Sequence, residues 1–154
     1  MLTGDDVVRI ARMLDVEPWQ FTLAHPGPAD ADDGYLLTAG GERYRLTLEH
    51  VKIGERKPTC TFLVQLTDGT ARCGLAADRP RPCRLVSAGL CTCGRPDEPD
   101  ATFELRGRAE LAEARVVYRA HVQRWNAFVS SGISTVYTHR DFCRFLLDAY
   151  EPVP

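Results

Sequence analysis

No run of apolar residues approaches the roughly 18 that a membrane-spanning helix needs. The opening stretch, MLTGDDVVRIARML, is acidic and amphipathic rather than a basic segment followed by a greasy one. Neither a membrane span nor a secretory leader is expected, and the location reads as cytoplasmic. A basic excess is also lacking. The formal charge is -2 and the pI about 6.1, whereas a general nucleic-acid binder carries a strongly basic face, so no nucleic-acid partner is expected. Ser-His-Asp wording, a Gly-rich phosphate loop and a paired-carboxylate pattern are all missing, and Asp30, Asp32 and Asp33 read as a solvated loop. That leaves no enzyme nucleophile beyond the thiols. There is no repeat, no low-complexity segment and no second composition regime, so the 154 residues, 44% of them hydrophobic, are expected to form one domain spanning 1–154.

What the chain does have is an uneven distribution of cysteine. Of its six cysteines, five (Cys60, Cys73, Cys83, Cys91 and Cys93) fall within CTFLVQLTDGTARCGLAADRPRPCRLVSAGLCTC, residues 60–93. Lone cysteines behave as small core hydrophobes. Cysteines gathered with Gly, Pro and Arg between them read as metal ligands or disulfide partners. A reducing cytosol disfavours a structural disulfide framework and a chain of this size needs no staples, so metal binding or redox chemistry is the expected task. Metal ions bind thiolates. Arg72, Arg79, Arg81 and Arg84, with Arg95 just beyond, are placed to lower thiol pKa values and to offset the charge of several thiolates. Pro80 and Pro82 fix φ on either side of Arg81 and so pre-set the approach to Cys83. The spacing matches no zinc ribbon, because Cys-x-x-Cys never occurs; the closest pair is Cys91-Thr92-Cys93.

Along the chain, Thr3 with Asp6 makes a capping-box-like start, and Val7, Ile10, Ala11 and Leu14 recur at helical spacing, predicting a helix over 4–14 that Asp15 ends. Pro18 suits the first turn of a short second helix whose Trp19 and Phe21 are core anchors. Residues 25–34 are a loop by composition. From Tyr35 the period changes to alternation, giving a hairpin of 35–38 and 43–49 about Gly40-Gly41. A second hairpin joins residues 60–66 and 71–75 through Thr67-Asp68-Gly69-Thr70. These four short strands are expected to form one small antiparallel sheet. Its second hairpin would pair Val64 with Cys73 and Cys60 with Ala77, leaving Cys60 and Cys73 on one face but roughly 13 Å apart at about 3.4 Å per residue. One ion cannot bridge that distance. Either the hairpin frays or bulges near Cys60, or a multinuclear cluster is held, or Cys60 is not a ligand.

Residues 94–101 read as a linker, and 107–129 as a long helix carrying Leu111, Ala114, Val117, Val122, Trp125 and Phe128 in helical rhythm. Thr138 with Asp141 caps a last helix on which Cys143, Leu146, Leu147 and Tyr150 share a stripe. The expected fold class is therefore α+β: a small antiparallel sheet of two hairpins between N-terminal and C-terminal helices, with a Cys-rich metal-binding loop.

The order of motifs is Leu2-Thr3 with the helix from Asp6 to Leu14, then Cys60-Thr61-Phe62-Leu63, then Cys73, then Arg79-Pro80 with Cys83-Arg84. It resembles the YkgJ-type cysteine-cluster proteins, a family described as zinc- or iron-chelating or iron–sulfur-cluster-containing domains, to which the flagellin lysine N-methylases also belong. The likeness runs from the start of the chain to about residue 90. It implies that Cys60, Cys73 and Cys83 are ligands of an iron–sulfur cluster or iron, alternatively of zinc. The family also places a cysteine cluster ending in Cys-Cys immediately before the Leu-Thr helix start, whereas this chain begins at Met1-Leu2-Thr3. A start assigned too late, a truncation, or a degenerate member that recruits Cys91 and Cys93 would each account for this. Seventeen arginines against two lysines suggest a GC-rich coding sequence in which alternative starts are common, which favours the first two. In-frame codons upstream of Met1 are then expected to encode a Cys-rich segment. A second departure is an insertion between Cys60 and Cys73.

His25, His50, His121 and His139 show no metal-binding spacing with a cysteine and read as surface or helix-face residues. Cys143 lies on an apolar stripe and reads as a packed, inert thiol. The expected function is a metal-binding cysteine-cluster protein. One alternative, which rests on the resemblance alone, is an S-adenosylmethionine-dependent lysine N-methylase; another is a metal-free thiol redox or interaction domain. The expected partner is a metal ion, with any protein partner or substrate unspecified.

Overall fold

A computed structural model describes residues 1–52, 59–75, 78–84, 101–132 and 135–150, with the backbone alone for 101–106. Helix α1 (Gly4–Leu14) has the expected bounds. The Thr3 hydroxyl accepts the Asp6 N–H at 3.4 Å and donates to the Asp6 carboxylate at 2.9 Å, satisfying a donor that the first turn would otherwise leave orphaned. Asp15 closes the helix in the left-handed conformation, φ 52°, which Asp tolerates better than most residues, and its N–H reaches the Ala11 and Arg12 carbonyls. Pro18–Gln20 then form a single 3₁₀ turn. Phe21 is buried as expected, whereas Trp19 is only half-buried and carries the guanidiniums of Arg140 and Arg144 at 4.8 and 5.3 Å from its ring.

The loop expected over 25–34 holds for 27–34, but its first two residues belong to a strand. Residues Thr22–Pro26 are strand β1, paired antiparallel with β3 (Arg43–Leu48) from Thr22 opposite Leu48 to Pro26 opposite Tyr44. Strand β2 (Tyr35–Leu36) pairs with the other edge of β3, so this sheet has the order β1-β3-β2. Asp33 is not solvated either: it is 8% exposed and accepts from Arg45 at 2.7 Å, while Asp32 pairs with Arg119 at 3.3 Å. Both predicted hairpins exist, but they do not share a sheet. Strand β4 (His50–Val51) pairs with β5 (Thr59–Cys60), and β6 (Leu63–Gln65) pairs with β7 (Ala71–Cys73), making two further two-stranded sheets among the described residues. Gly69, at φ 83°, makes the β6–β7 turn possible, and the Asp68 carboxylate secures it by accepting from the Thr70 N–H at 2.9 Å.

After the one-turn helix α2 (Arg81–Arg84) comes α3 (Ala101–Ser131), which begins six residues before the expected start at 107. Its buried stripe is Leu111, Tyr118, Val122, Trp125 and Val129. Val117 and Phe128, expected on that stripe, are 48% and 53% exposed. The period is helical as read, but its phase is set by the contacts α3 makes: Trp125 Nε1–H donates to the Leu36 carbonyl at 2.7 Å, and Asn126 accepts the Leu36 N–H at 2.7 Å. Helix α4 (His139–Ala149) buries Phe142, Cys143 and Leu146 against this layer, and the Tyr35 and Phe142 rings stack at 3.8 Å. The fold is α+β, with helices toward both ends and small antiparallel sheets between them. No helix among the described residues is long and apolar enough to cross a membrane.

Thr138 caps α4 by accepting the Asp141 N–H at 3.3 Å, and the Asp141 carboxylate accepts the Thr138 N–H at 2.8 Å in return. Thr138→Ala is expected to cost about 1 kcal/mol. Chemical denaturation checks this; an unchanged midpoint would mean that packing alone holds the helix end.

Candidate metal centre

Cys60 ends β5, Cys73 ends β7 and Cys83 lies in α2; all three are half-buried. Leu63, not Val64, stands opposite Cys73, so the hairpin register is one residue off the expected one. The hairpin also stops short of Cys60. At Thr61-Phe62 the chain turns, the Phe62 carbonyl accepts the Gly74 N–H at 2.7 Å, and Cys60 instead pairs with His50 across β4–β5. Phe62 anchors this bend against Phe21, ring centroids 5.7 Å apart. The hairpin therefore does break near Cys60, one of the three alternatives the ladder distance left open.

Burial pushes the Cys60 thiol up, with Cys73 adding to it and a backbone hydrogen bond at Phe62 opposing it. Burial pushes Cys83 up to about 11, with Cys60 and Cys73 next in effect. The three thiols therefore lie within electrostatic reach of one another. The Met1 amino group also acts on Cys83, in the opposite sense.

Arg81 does not play the role read from the sequence. The Cys60 and Cys83 thiols are raised rather than lowered, with burial the largest cause of each shift. Arg81 pairs instead with Asp5 and, at 3.3 Å, with Asp6. Carboxylates on α1 attract the guanidinium more strongly than neutral thiols do. Pro80 and Pro82 do pre-set the approach to Cys83: α2 starts right after Pro80, whose carbonyl accepts from the Cys83 and Arg84 N–H groups at 2.9 and 3.2 Å.

Among the described residues, no group of three or more His, Cys, Asp or Glu side chains is drawn closely enough together to hold a metal ion. Cys60, Cys73 and Cys83 thus share a corner without forming a closed site. Cys91, Cys93 and Arg95 lie outside the described residues.

Cys143 is fully buried, and burial pushes its thiol up to about 12. Sequence reading missed what surrounds it. The single hydroxyl proton of Thr22 goes to the Pro18 carbonyl at 2.7 Å, so the His139 Nε2 atom 3.0 Å from that oxygen must be the donor. Nδ1 then accepts from the Tyr35 hydroxyl at 2.8 Å, and the Cys143 sulfur sits 3.6 Å from Nε2. The ring is held neutral, and burial lowers its pKa against a raising hydrogen bond to the Thr22 carbonyl. The unfolded chain takes up this proton first, so the contribution is fully present above the unfolded value of about 6.5 and is lost as pH falls below it. Stability is expected to drop between about pH 7 and about pH 5, and to drop less in His139→Gln. Melting temperatures of both proteins across that range check this; equal slopes would refute it.

Of the other histidines, His25 and His50 are exposed as expected, and His121 is half-buried. Asp6 and Arg9 were likewise read only as parts of a helix. Their contacts reach residues 78–81, about seventy positions away, and no local pattern signals them. No family model, curated protein or solved structure matches the chain.

Proposed function

We propose that this chain is a metal-binding cysteine-cluster protein of the YkgJ type, holding iron, as a cluster or a single ion, or else zinc. The observation that supports it most is the gathering of Cys60, Cys73 and Cys83, from three separate elements, into one half-buried region where Cys73 acts on Cys60 and both act on Cys83. Three thiols are one short of the usual tetrahedral set, and their described arrangement does not close around an ion. Cys91 and Cys93, the next cysteines along the chain, are the candidates to complete the set. A thiol redox role is less favoured, since reactive cysteines have lowered pKa values and those of Cys60 and Cys83 are raised. The methylase reading has no nucleotide site behind it and rests on resemblance alone.

The test is metal analysis with an optical spectrum on protein purified without air, together with a count of free thiols. Stoichiometric iron with visible absorbance, or stoichiometric zinc, is the expected result. Protein without either metal and with all thiols free would overturn the proposal, and a stoichiometric disulfide among Cys60, Cys73, Cys83, Cys91 and Cys93 would replace it with the redox reading.

A further inference from the structure

Residues 78–84 carry Cys83 but are poorly equipped to hold their own shape. Pro80 and Pro82 supply no backbone N–H, and α2 is a single turn. The segment is held from outside, by hydrogen bonds from helix α1 and by packing of α2 on α3. The Asp6 carboxylate is fully buried and accepts from the Arg81 backbone N–H at 3.0 Å, the Arg81 guanidinium at 3.3 Å, the Arg9 guanidinium at 3.3 Å and the Thr3 hydroxyl at 2.9 Å. Arg9 in turn donates to the backbone carbonyls of Asp78 at 2.7 Å and Arg79 at 3.1 Å, and to the Asp78 carboxylate at 3.1 Å. A carboxylate removed from water persists only when charge and hydrogen bonds compensate it. Here half of that compensation, the two Arg81 contacts, comes from the segment that carries Cys83.

We infer that Asp6 is the positioning residue of the thiol cluster: with Arg9 it clamps residues 78–81 so that Cys83 stands beside Cys60 and Cys73. The inference rests on reading those thiols as one site. Asp6 makes no hydrogen bond to a described thiol and holds the segment through the Arg81 N–H, two residues before Cys83. Its charge also raises the Cys83 thiol, so Arg9→Met, which keeps that charge, separates positioning from electrostatics. Capping α1 does not account for its contacts, because the cap needs only the Asp6 N–H and the Thr3 hydroxyl.

The experiment measures iodoacetamide labelling of each cysteine by peptide mass spectrometry, with EDTA and without air, in wild type, Asp6→Asn and Arg9→Met. Thr138→Ala serves as a control that weakens the opposite end of the fold. Cys83 is expected to be labelled about tenfold faster in both clamp variants, the effect of losing about one charge-assisted hydrogen bond. Cys143 labelling and the far-ultraviolet circular dichroism should not change. If Asp6→Asn fails to fold, Arg9→Met, which leaves the cap intact, carries the test. An unchanged Cys83 rate in the folded variants, or equal acceleration in Thr138→Ala, overturns the inference. Zinc titration of the same proteins separates it from the metal proposal. A wild type that takes no zinc or iron while the clamp variants still free Cys83 sinks the metal reading alone. A wild type that binds metal while the variants match it in both labelling and affinity sinks the positioning role alone.

Discussion

Cys73→Ser and Cys83→Ser are each expected to lose most of the bound metal, because a neutral hydroxyl does not replace a thiolate ligand. Both residues lie in the corner where the thiols act on one another, one at the end of β7 and one in the clamped turn α2. Metal bound to the folded state stabilises it by mass action, by about 2.7 kcal/mol at a hundredfold excess over the dissociation constant. The two variants should therefore also melt earlier whenever the wild type holds metal. Cys143→Ser provides the contrast. Its sulfur lies 3.9 Å from the Thr22 hydroxyl and 3.6 Å from His139, so a serine there has polar neighbours, and the expected cost is near the low end, about 1 kcal/mol, with metal content unchanged. Metal content measured beside melting temperature decides it. Loss of metal from Cys143→Ser, or its retention in both other variants, would show that the ligands are wrongly assigned.

Phe142→Ala is expected to cost about 3–5 kcal/mol, a large share of the roughly 5–15 kcal/mol typical of a domain. Phe142 is fully buried, stacked on Tyr35 at 3.8 Å and edge-on to Trp125 at 5.4 Å, so its loss opens a cavity where β2, α3 and α4 meet. Phe128→Ala removes a side chain of the same size that is 53% exposed, and should cost well under half as much. Urea denaturation of both variants gives the comparison; equal midpoints would mean that the core does not lie where the buried stripes place it.

The clamp links the fold to the candidate site. Helix α1 packs Val7, Ile10 and Ala11 into the core while Asp6 and Arg9 reach residues 78–81, so the element that anchors the N-terminal end of the fold also holds Cys83. A substitution that shifts α1 in the core should therefore be felt at the thiols before it unfolds the sheets.

The sequence by itself determined what a few neighbouring residues can decide. The bounds of α1, its end at Asp15 and the caps at Thr3 and Thr138 follow from interactions within about four residues and stand as read, and the hairpin about Gly69 forms as read but one residue out of register. Periodicity also gave α3 its existence but not its phase, since a 3.6-residue rhythm does not say which apolar face meets a partner; contacts with β2 and α4 chose Tyr118 and Val129 over Val117 and Phe128. Strand β1 escaped notice because Thr22–Pro26 is short, ends in proline and becomes a strand only when β3 lies beside it. The site divides the same way. Cysteine clustering was legible as a count along the chain, but the bend that takes Cys60 off the β6–β7 ladder is docked by Phe62 on Phe21, and the segment carrying Cys83 is hydrogen-bonded to a carboxylate 75 positions before Arg81. Nor did the arginine count reveal where the charge would go: carboxylates and thiols compete for the same guanidinium, and only the folded chain brings Asp5 and Asp6 close enough to win it.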